Sequence, residues 1–562
     1  MGKFTEKFTE EQEEAILSLY VSKPFSDIFF VYDTIPPEQF ATLAAAYSRT
    51  HEPFQKRLLL SIESEDLPLP KMDSIPQDIT GIDVEQLKKA YSDFTENWRL
   101  PTEKNKQFIQ KWAQSYGHNS IKELGNVRFV CENIPDLSGK LITGHPLAHP
   151  QVKSSRYIDW KNVLAKSEDN LDLKNSKHAE EIFTSLKKII NSYQEITHKL
   201  ETFTGNHPLN QEFLSHMLNN DTSKTKEQII NAYDANARKS MLDYSRYLLT
   251  PSMLTSVGVS MEVRALEEVV TDFLSSPLKQ DREIGKTIIE EAQKVVPVLM
   301  GEKSHAKINE YQLALRDYFD EALPKLFEFE KNRKFEVTPR TNFVENVESF
   351  TDVFIASSMA WHYGNGSFEQ YHDELTKNPK KAQEIIHQTF KNRGKFDPFP
   401  KPTLIDTPIF ETLIDYGADR DNHRHRRGAW LRQTLTTEHG FEMPQMIKTA
   451  GLEKEYNQIL NEISTTFNNI HADNKYVAQL IVPFAFKCRR LINWSAGQDG
   501  YYIELRSKSP GHDSYREIAW DVADKVKEKA PTFGQYLKVD KQTYPQHLIK
   551  NARTWYDQEK RK

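Results

Sequence analysis

DYGADRDNHRHRRGAWLRQT, residues 415–434, carries Arg420, Arg424, Arg426, Arg427 and Arg432, with His423 and His425 set among them. The chain as a whole is acidic, with a formal net charge of -6, so this local excess of cations needs a local reason. Read at helical spacing, Arg420, Arg424 and Arg427 share one face, where like charges repel by roughly a few tenths of a kcal/mol per pair. A planar guanidinium fork suits phosphate or the edge of a heterocycle better than lysine does. The stretch therefore reads either as a solvated basic face or as a cradle for an anion or cofactor.

The same residues carry a family resemblance. Arg424-His425-Arg426, followed after seven residues by Thr434, resembles the RHR-x7-S signature of the flavin-dependent thymidylate synthases. The approach YGADRDNHRHR resembles a tandem, double-length branch of that family. Thr434 stands where the signature has serine, Ala429 and Leu431 where a serine and an asparagine are usual, and Thr436-Thr437 where Arg-Tyr should follow. This copy keeps the flavin half of the motif and lacks the nucleotide half. Upstream, Gly117-His118-Asn119-Ser120 with Glu123 resembles the GHxSxxE segment that precedes the signature. In LITGHPLAHPQVKSSRY, His145 occupies the central histidine position, while Gly144 and Pro146 replace both arginines. Ser154, Arg156 and Tyr157 then reproduce the S-x-R-Y ending, with Gln151 at the asparagine position. Each copy keeps what the other has lost. The family's nucleotide-binding arginine falls at Asp272 in the first copy and at Arg506 in the second. Ser495, Gly497 and Tyr501 replace residues that often line the flavin.

The resemblance implies an α+β fold of two tandem thymidylate-synthase-complementing (ThyX-like) repeats, each helix-rich with a small sheet. It implies FAD as cofactor, held by Arg424, His425, Arg426 and His118. A uracil nucleotide would be held by Ser154, Arg156, Tyr157, Thr434 and Arg506, with Arg506 and Arg156 as the catalytic residues. Reduced nicotinamide (NADPH) and methylenetetrahydrofolate would be co-substrates in the reductive methylation of dUMP to dTMP. Such chemistry asks the protein for orientation and for charge placed against a developing anion, while the cofactor carries the redox step. Two alternatives stay open: flavin-dependent modification of another uracil nucleotide at C5, and an inactive nucleotide-binding or structural protein of the same fold. The implied assembly is a homodimer forming a pseudo-tetramer of repeats, with S-x-R-Y from one repeat and the helix arginine from the other.

Composition is consistent with this. At 562 residues the chain is long enough for more than one domain. Two cysteines, Cys131 and Cys488, make neither a disulfide framework nor a zinc site and read as core residues of a protein in a reducing compartment. MGKFTEKFTEEQEE is charged with no apolar core, so no secretory signal and a cytoplasmic location are expected. No run of about 18 apolar residues suggests a membrane span, and the acidic balance argues against binding nucleic acid in bulk. His145 and His149 are four apart, but Pro146 between them and the lack of a third ligand argue against a metal.

Similar order and spacing in the two halves point to a duplication. Ser276-Pro277 pairs with Ser509-Pro510, Arg282-Glu283-Ile284 with Arg516-Glu517-Ile518, and Gly364 to Ser367 echoes Gly117 to Ser120. The expected division is 1–302 for the first repeat, 303–345 for a helical connector and 346–562 for the second repeat. Within the first, SDIFFVYDTIPPEQFATLAAAYSR reads as a strand, a turn through Pro36-Pro37 and a helix from Glu38, the double proline suiting a helix entry.

Overall fold

Ile28–Val31 (β1) is a run of four buried apolar residues, the pattern of a strand covered on both faces. The computed structural model that gives it describes residues 3–67, 69, 83–95, 101–111, 120–156, 158–160, 167–206, 211, 214–215, 217–219, 225–301, 304–344, 350–394, 397–405, 408–428, 430–508 and 511–542. After Tyr32 the chain turns through Pro36, and the expected helix spans Pro37–Tyr47, with Pro37 at its first position, one residue ahead of the expected start at Glu38. A proline there forfeits only an N–H that has no partner within the helix.

Three more strands complete the first sheet: Asn126–Pro135 (β2), His149–Val152 (β3) and Leu254–Glu262 (β4). All pairings are antiparallel, in the order β1-β2-β4-β3. Pro150 lies in β3, at the edge, where a missing donor is tolerated. A register shift between Cys131 and Ile134 breaks the β2 ladder, and Asn133 adopts φ 51 there. β2 runs straight into Asp136–Thr143 (α1), and β4 into Val263–Leu274 (α2), followed by Lys279–Val295 (α3). In α2, Ala265, Leu266, Val269, Val270 and Phe273 are buried, the stripe of a helix laid on a sheet. They join Phe129, Val257 and Val259 in one core, and each large side chain buried there contributes roughly 1.5–3 kcal/mol.

The second sheet has the same order of connection. Thr341–Phe343 (β5), Ile409–Asp415 (β6), Trp430–Arg432 (β7) and Lys487–Asn493 (β8) pair antiparallel as β5-β6-β8-β7. β6 runs into Tyr416–Asn422 (α4), and β8 leads to Ala496–Arg506 (α5) and then Asp513–Lys529 (α6). The last two connections carry a similar contact, although its acceptor is not at the same aligned position. Arg282 donates to Ser276 O at 2.7 Å, one residue past the cap of α2, and Arg516 donates to Ser507 O at 3.1 Å, at the cap of α5, so in each an arginine from the later helix holds a carbonyl close to the end of the earlier one. The protein is thus helix-rich with two small four-stranded antiparallel sheets.

The chain divides into two compact units, residues 1–187 with 250–332, and residues 188–249 with 333–562. The helix Glu310–Leu326 belongs to the first unit and has no buried residue among those described. Segment 188–249 is the unexpected part of this division, because in sequence it lies between β3 and β4 of the first sheet. Cys131 and Cys488 are both buried, as expected of core residues.

Candidate anion and cofactor site

The arginine-rich stretch is organised by Asp415. Its Oδ1 accepts the N–H of Ala418 at 2.6 Å and caps α4, while Ser514 and Tyr247 also turn their hydroxyls to its carboxylate. Burial is the main force on this carboxyl and raises it to about 6. The helix it starts is only seven residues long, and every one of them is buried. His423 N–H donates to Asp419 O and His425 N–H to Asn422 O, a tight turn that ends the helix at Asn422. Arg420 is therefore the only arginine of the stretch within α4, and the expected common face of Arg420, Arg424 and Arg427 does not form. Arg420 is buried with its guanidinium 4.2 Å from the centre of the Phe484 ring, whereas Arg424 and Arg427 are exposed on the loop that follows. Gly428 closes that loop at φ +82, and a Cβ there would lie 1.9 Å from Asn493 O.

The other cations separate by their partners. Arg490 makes a bidentate contact with the buried Asp419, with its second terminal nitrogen at 2.5 Å from Oδ2, and Arg432 Nε stands 3.7 Å from the same oxygen. Arg246 donates to Asp421 Oδ2 at 2.7 Å, with both side chains nearly inaccessible. These arginines neutralise the acids of α4. Arg424, Arg426 and Arg427 follow it, the first and last exposed and Arg426 half-buried.

His425 sits where this loop meets α5. Arg506 donates from Nε to His425 Nε2 at 2.8 Å and from a terminal nitrogen to Asp421 O at 2.8 Å. Trp494, Tyr501 and Tyr502 present their rings edge-on, with centroids 5.7, 5.9 and 5.0 Å from the imidazole. Burial first, then the charges of Arg506 and Arg424, lower the imidazole to about 3, so His425 is neutral at ordinary pH. Tyr502 donates its hydroxyl to Asn422 Oδ1 at 3.1 Å and ties α5 to the end of α4. The structure thus brings together Arg506, His425 and the arginine loop. Thr434 lies just beyond β7 and is exposed.

The positions expected to line a flavin have local explanations. Ser495 caps α5 in a capping box with Gln498. Gly497 and Gly500 are covered by the segment 399–404: a Cβ on Gly500 would lie 2.3 Å from the Phe399 ring, and one on Gly497 would lie 2.4 Å from Thr403 Oγ1. Phe399 is fixed by Arg393, whose guanidinium lies 3.7 Å from the ring centre and pairs bidentately with Glu504 at 2.8 and 3.0 Å. Tyr501 is 58% exposed.

The first unit holds the remaining predicted residues. Ser154 follows β3 and accepts the N–H of Arg156 at 3.2 Å on its own hydroxyl, and both side chains are half-buried. His145 Nε2 lies 3.0 Å from Glu268 Oε2, and its Nδ1 accepts the N–H of Leu147 at 3.3 Å. His118 and Tyr157 lie outside the described residues. Among the described residues there is no group of three or more metal-ligating side chains, and no helix is long and apolar enough to cross a membrane. Sequence reading missed Arg246, Asp421, Trp494 and Tyr502. Only Asp421 stood within the quoted motif, and the others carry no signal before the fold brings them in.

Residues 80–298 match the family model described as thymidylate synthase complementing protein. The UPF0159 protein of Chlamydia pneumoniae is 24% identical over 557 residues, covering 96% of each chain. That of Chlamydia muridarum is 23% identical over 467 residues, covering 80% of this chain and 83% of its own. The UPF0159 protein Ta1429 of Thermoplasma acidophilum is 22% identical over 463 residues, covering 79% and 90%. Among solved structures, a UMP/dUMP methylase, PolB from Streptomyces cacaoi bound with 5-Br dUMP, aligns over 35% of this chain and 93% of its own, at 11% identity and a TM-score of 0.28.

Proposed function

We propose that this chain, which carries the thymidylate synthase complementing protein family over residues 80–298, is a flavin-dependent enzyme acting at C5 of a uracil nucleotide, with dUMP to dTMP as the reaction. The observation that carries this is the meeting of Arg506 and His425 at 2.8 Å beside a loop bearing Arg424, Arg426 and Arg427. Guanidinium forks on an exposed loop fit the diphosphate of FAD, and Arg424 and Arg426 with His425 would hold it. When bound, FAD supplies the redox chemistry, with NADPH as reductant and methylenetetrahydrofolate as one-carbon donor. The chain's own residues bind and orient: Arg506 and the neutral His425 present donors, and Trp494, Tyr501 and Tyr502 wall the imidazole.

The matching strand orders, and His145 and His425 each nine residues before Ser154 and Thr434, support a tandem duplication. As sequence repeats these are 1–302 and 346–562, joined by 303–345. The nucleotide is assigned to Ser154, Arg156 and Tyr157 of the first repeat and Arg506 of the second. Arg156→Ala and Arg506→Ala, alone and together, measure that assignment. Each should weaken dUMP binding tenfold or more, and the pair should be less than additive. The localisation proposed is cytoplasmic, and the assembly a homodimer.

A second reading is favoured by one observation, the covering of Gly497 and Gly500 by Phe399, Thr403 and Leu404. With that helix face filled, the chain is a nucleotide-binding module without flavin chemistry. One experiment separates the two. With dUMP tritiated at C5, methylenetetrahydrofolate, FAD and NADPH, an enzyme releases tritium to water and forms dTMP. Release without dTMP indicates another C5 modification. Binding of dUMP without release establishes the second reading.

A further inference from the structure

Arg506 donates from Nε to His425 Nε2 at 2.8 Å. A guanidinium has N–H donors and no acceptor, so the nitrogen that receives this bond carries a lone pair. The ring is then neutral, and its one proton sits on Nδ1. The histidine that stands nine residues before Ser154 is held in the opposite way. His145 uses Nδ1 to accept the N–H of Leu147 at 3.3 Å, and its Nε2 faces Glu268 Oε2 at 3.0 Å, which places the proton on Nε2. Two histidines at matching motif positions are thus fixed as opposite tautomers, one by a carboxylate and one by a guanidinium.

Among the described residues, nothing acidic competes for the ring of His425. Asp421 turns only its backbone oxygen to Arg506, while its carboxylate is held by Arg246. The facing groups from α5 and the residue after β8 are Arg506, Tyr501, Tyr502 and Trp494, and the neighbouring charge on its own loop is Arg424. His425 Nδ1 makes no hydrogen bond to any described residue, and the side chain keeps a partly exposed edge.

We propose that Arg506 is a positioning residue that locks His425 as a neutral Nδ1–H donor, so that this edge selects a ligand oxygen, either a carbonyl or a phosphate oxygen, over a ligand N–H. The inference rests on the proposed function only for the identity of the ligand. It assigns Arg506 a part played through the imidazole, beside or in place of a direct contact to the nucleotide.

The test uses the full chain with 15N-labelled histidine and long-range proton–nitrogen correlation, the His425 signal being the one absent from His425→Asn. The wild-type protein should show Nδ1 protonated and Nε2 bare, unchanged from pH 8 to 5 while ordinary histidines titrate. Arg506→Met should mix the tautomers and return the ring to the usual histidine range. A wild-type proton on Nε2, or titration between pH 5 and 8, overturns the proposal without any variant. A merely structural Arg506 would lower the melting temperature when replaced and leave the tautomer at Nδ1, which also overturns it. Inorganic phosphate, deoxyuridine, dUMP and FAD are then added separately. A shift of the Nδ1 proton with phosphate identifies a phosphate oxygen, and one with deoxyuridine a carbonyl. No shift with any of the four overturns the selection. A shift with dUMP but no tritium release refutes the reaction and leaves the positioning role intact.

Discussion

Arg246 and Asp421 stand 175 residues apart in the chain and meet side chain to side chain at 2.7 Å in the buried part of the second unit. Asp421 also gives its carbonyl to Arg506, so one residue links a guanidinium from segment 188–249 to the arginine that holds His425. A buried pair of this kind stabilises less than its contacts suggest, because both charges were solvated in the unfolded chain. Breaking it strands a charge.

Replacing Arg246 by alanine should therefore destabilise the second unit by about 3–5 kcal/mol, and Arg246→Met with Asp421→Leu should recover much of that loss. Urea unfolding followed by a probe within the second unit checks this, since two units need not unfold in one transition. If the double variant is as weak as the sum of the single ones, the two residues are not energetically coupled.

Gly500→Ala drives a methyl into the Phe399 ring and should cost about 1–3 kcal/mol by overpacking. Phe399→Leu in the same chain should relieve part of it. The comparison is of melting temperatures for the two single variants and the pair. An unchanged Gly500→Ala protein would mean that the 399–404 segment does not press on α5.

The response to pH has two opposed parts. Asp415 is raised to about 6 by burial, so the folded state holds its proton at pH values where the unfolded chain has released it. Its contribution is present below about 4 and declines as pH rises through about 6. Asp415→Asn removes that decline, and its stability relative to the wild type should grow between pH 4 and 7. His425, lowered to about 3, and His439 and His471, each lowered to about 4, act the other way. Their contribution is present above about 6.5 and is lost as pH falls towards 4. His439→Gln should flatten the acid side of the curve. Urea midpoints at half-unit pH intervals read both signs.

Arg424→Ala with Arg426→Ala should weaken FAD binding by tenfold or more. A charge-assisted contact is worth roughly 1.5–3 kcal/mol. Quenching of flavin fluorescence measures it. A double variant that binds FAD as the wild type does would place the diphosphate elsewhere.

Local chemistry made part of this structure legible. Pro36-Pro37 announced the helix Pro37–Tyr47, and the apolar run at Ile28–Val31 announced its strand, because both signals act within a few residues. The RHR motif pointed to His425, and the place of the family's nucleotide-binding arginine to Arg506, which the fold joins. What could not be read were long-range consequences. Three arginines spaced for one helical face were separated because Asp415 starts a helix that lasts only to Asn422. Gly497 looked like a missing contact, yet it makes room for Thr403 and Leu404. Arg246, in DYSRYLLTP, had no motif around it, and its meaning comes entirely from an acid that folding brings beside it.

The second unit is assembled from two separate lengths of chain, 188–249 and 333–562. During synthesis, the first leaves the ribosome with Ile189, Tyr193, Ile196 and Leu200 made for burial but with β6 and β8 not yet translated. At usual rates of elongation that wait is on the order of ten seconds to a minute. Throughout it, the apolar face of the amphipathic helix Ala179–Asn206 and the cation of Arg246 lack the core and carboxylate that complete them. The nascent chain should thus draw on a holding chaperone at this stage, and a protein cut to begin at residue 333 should lack part of its own interior.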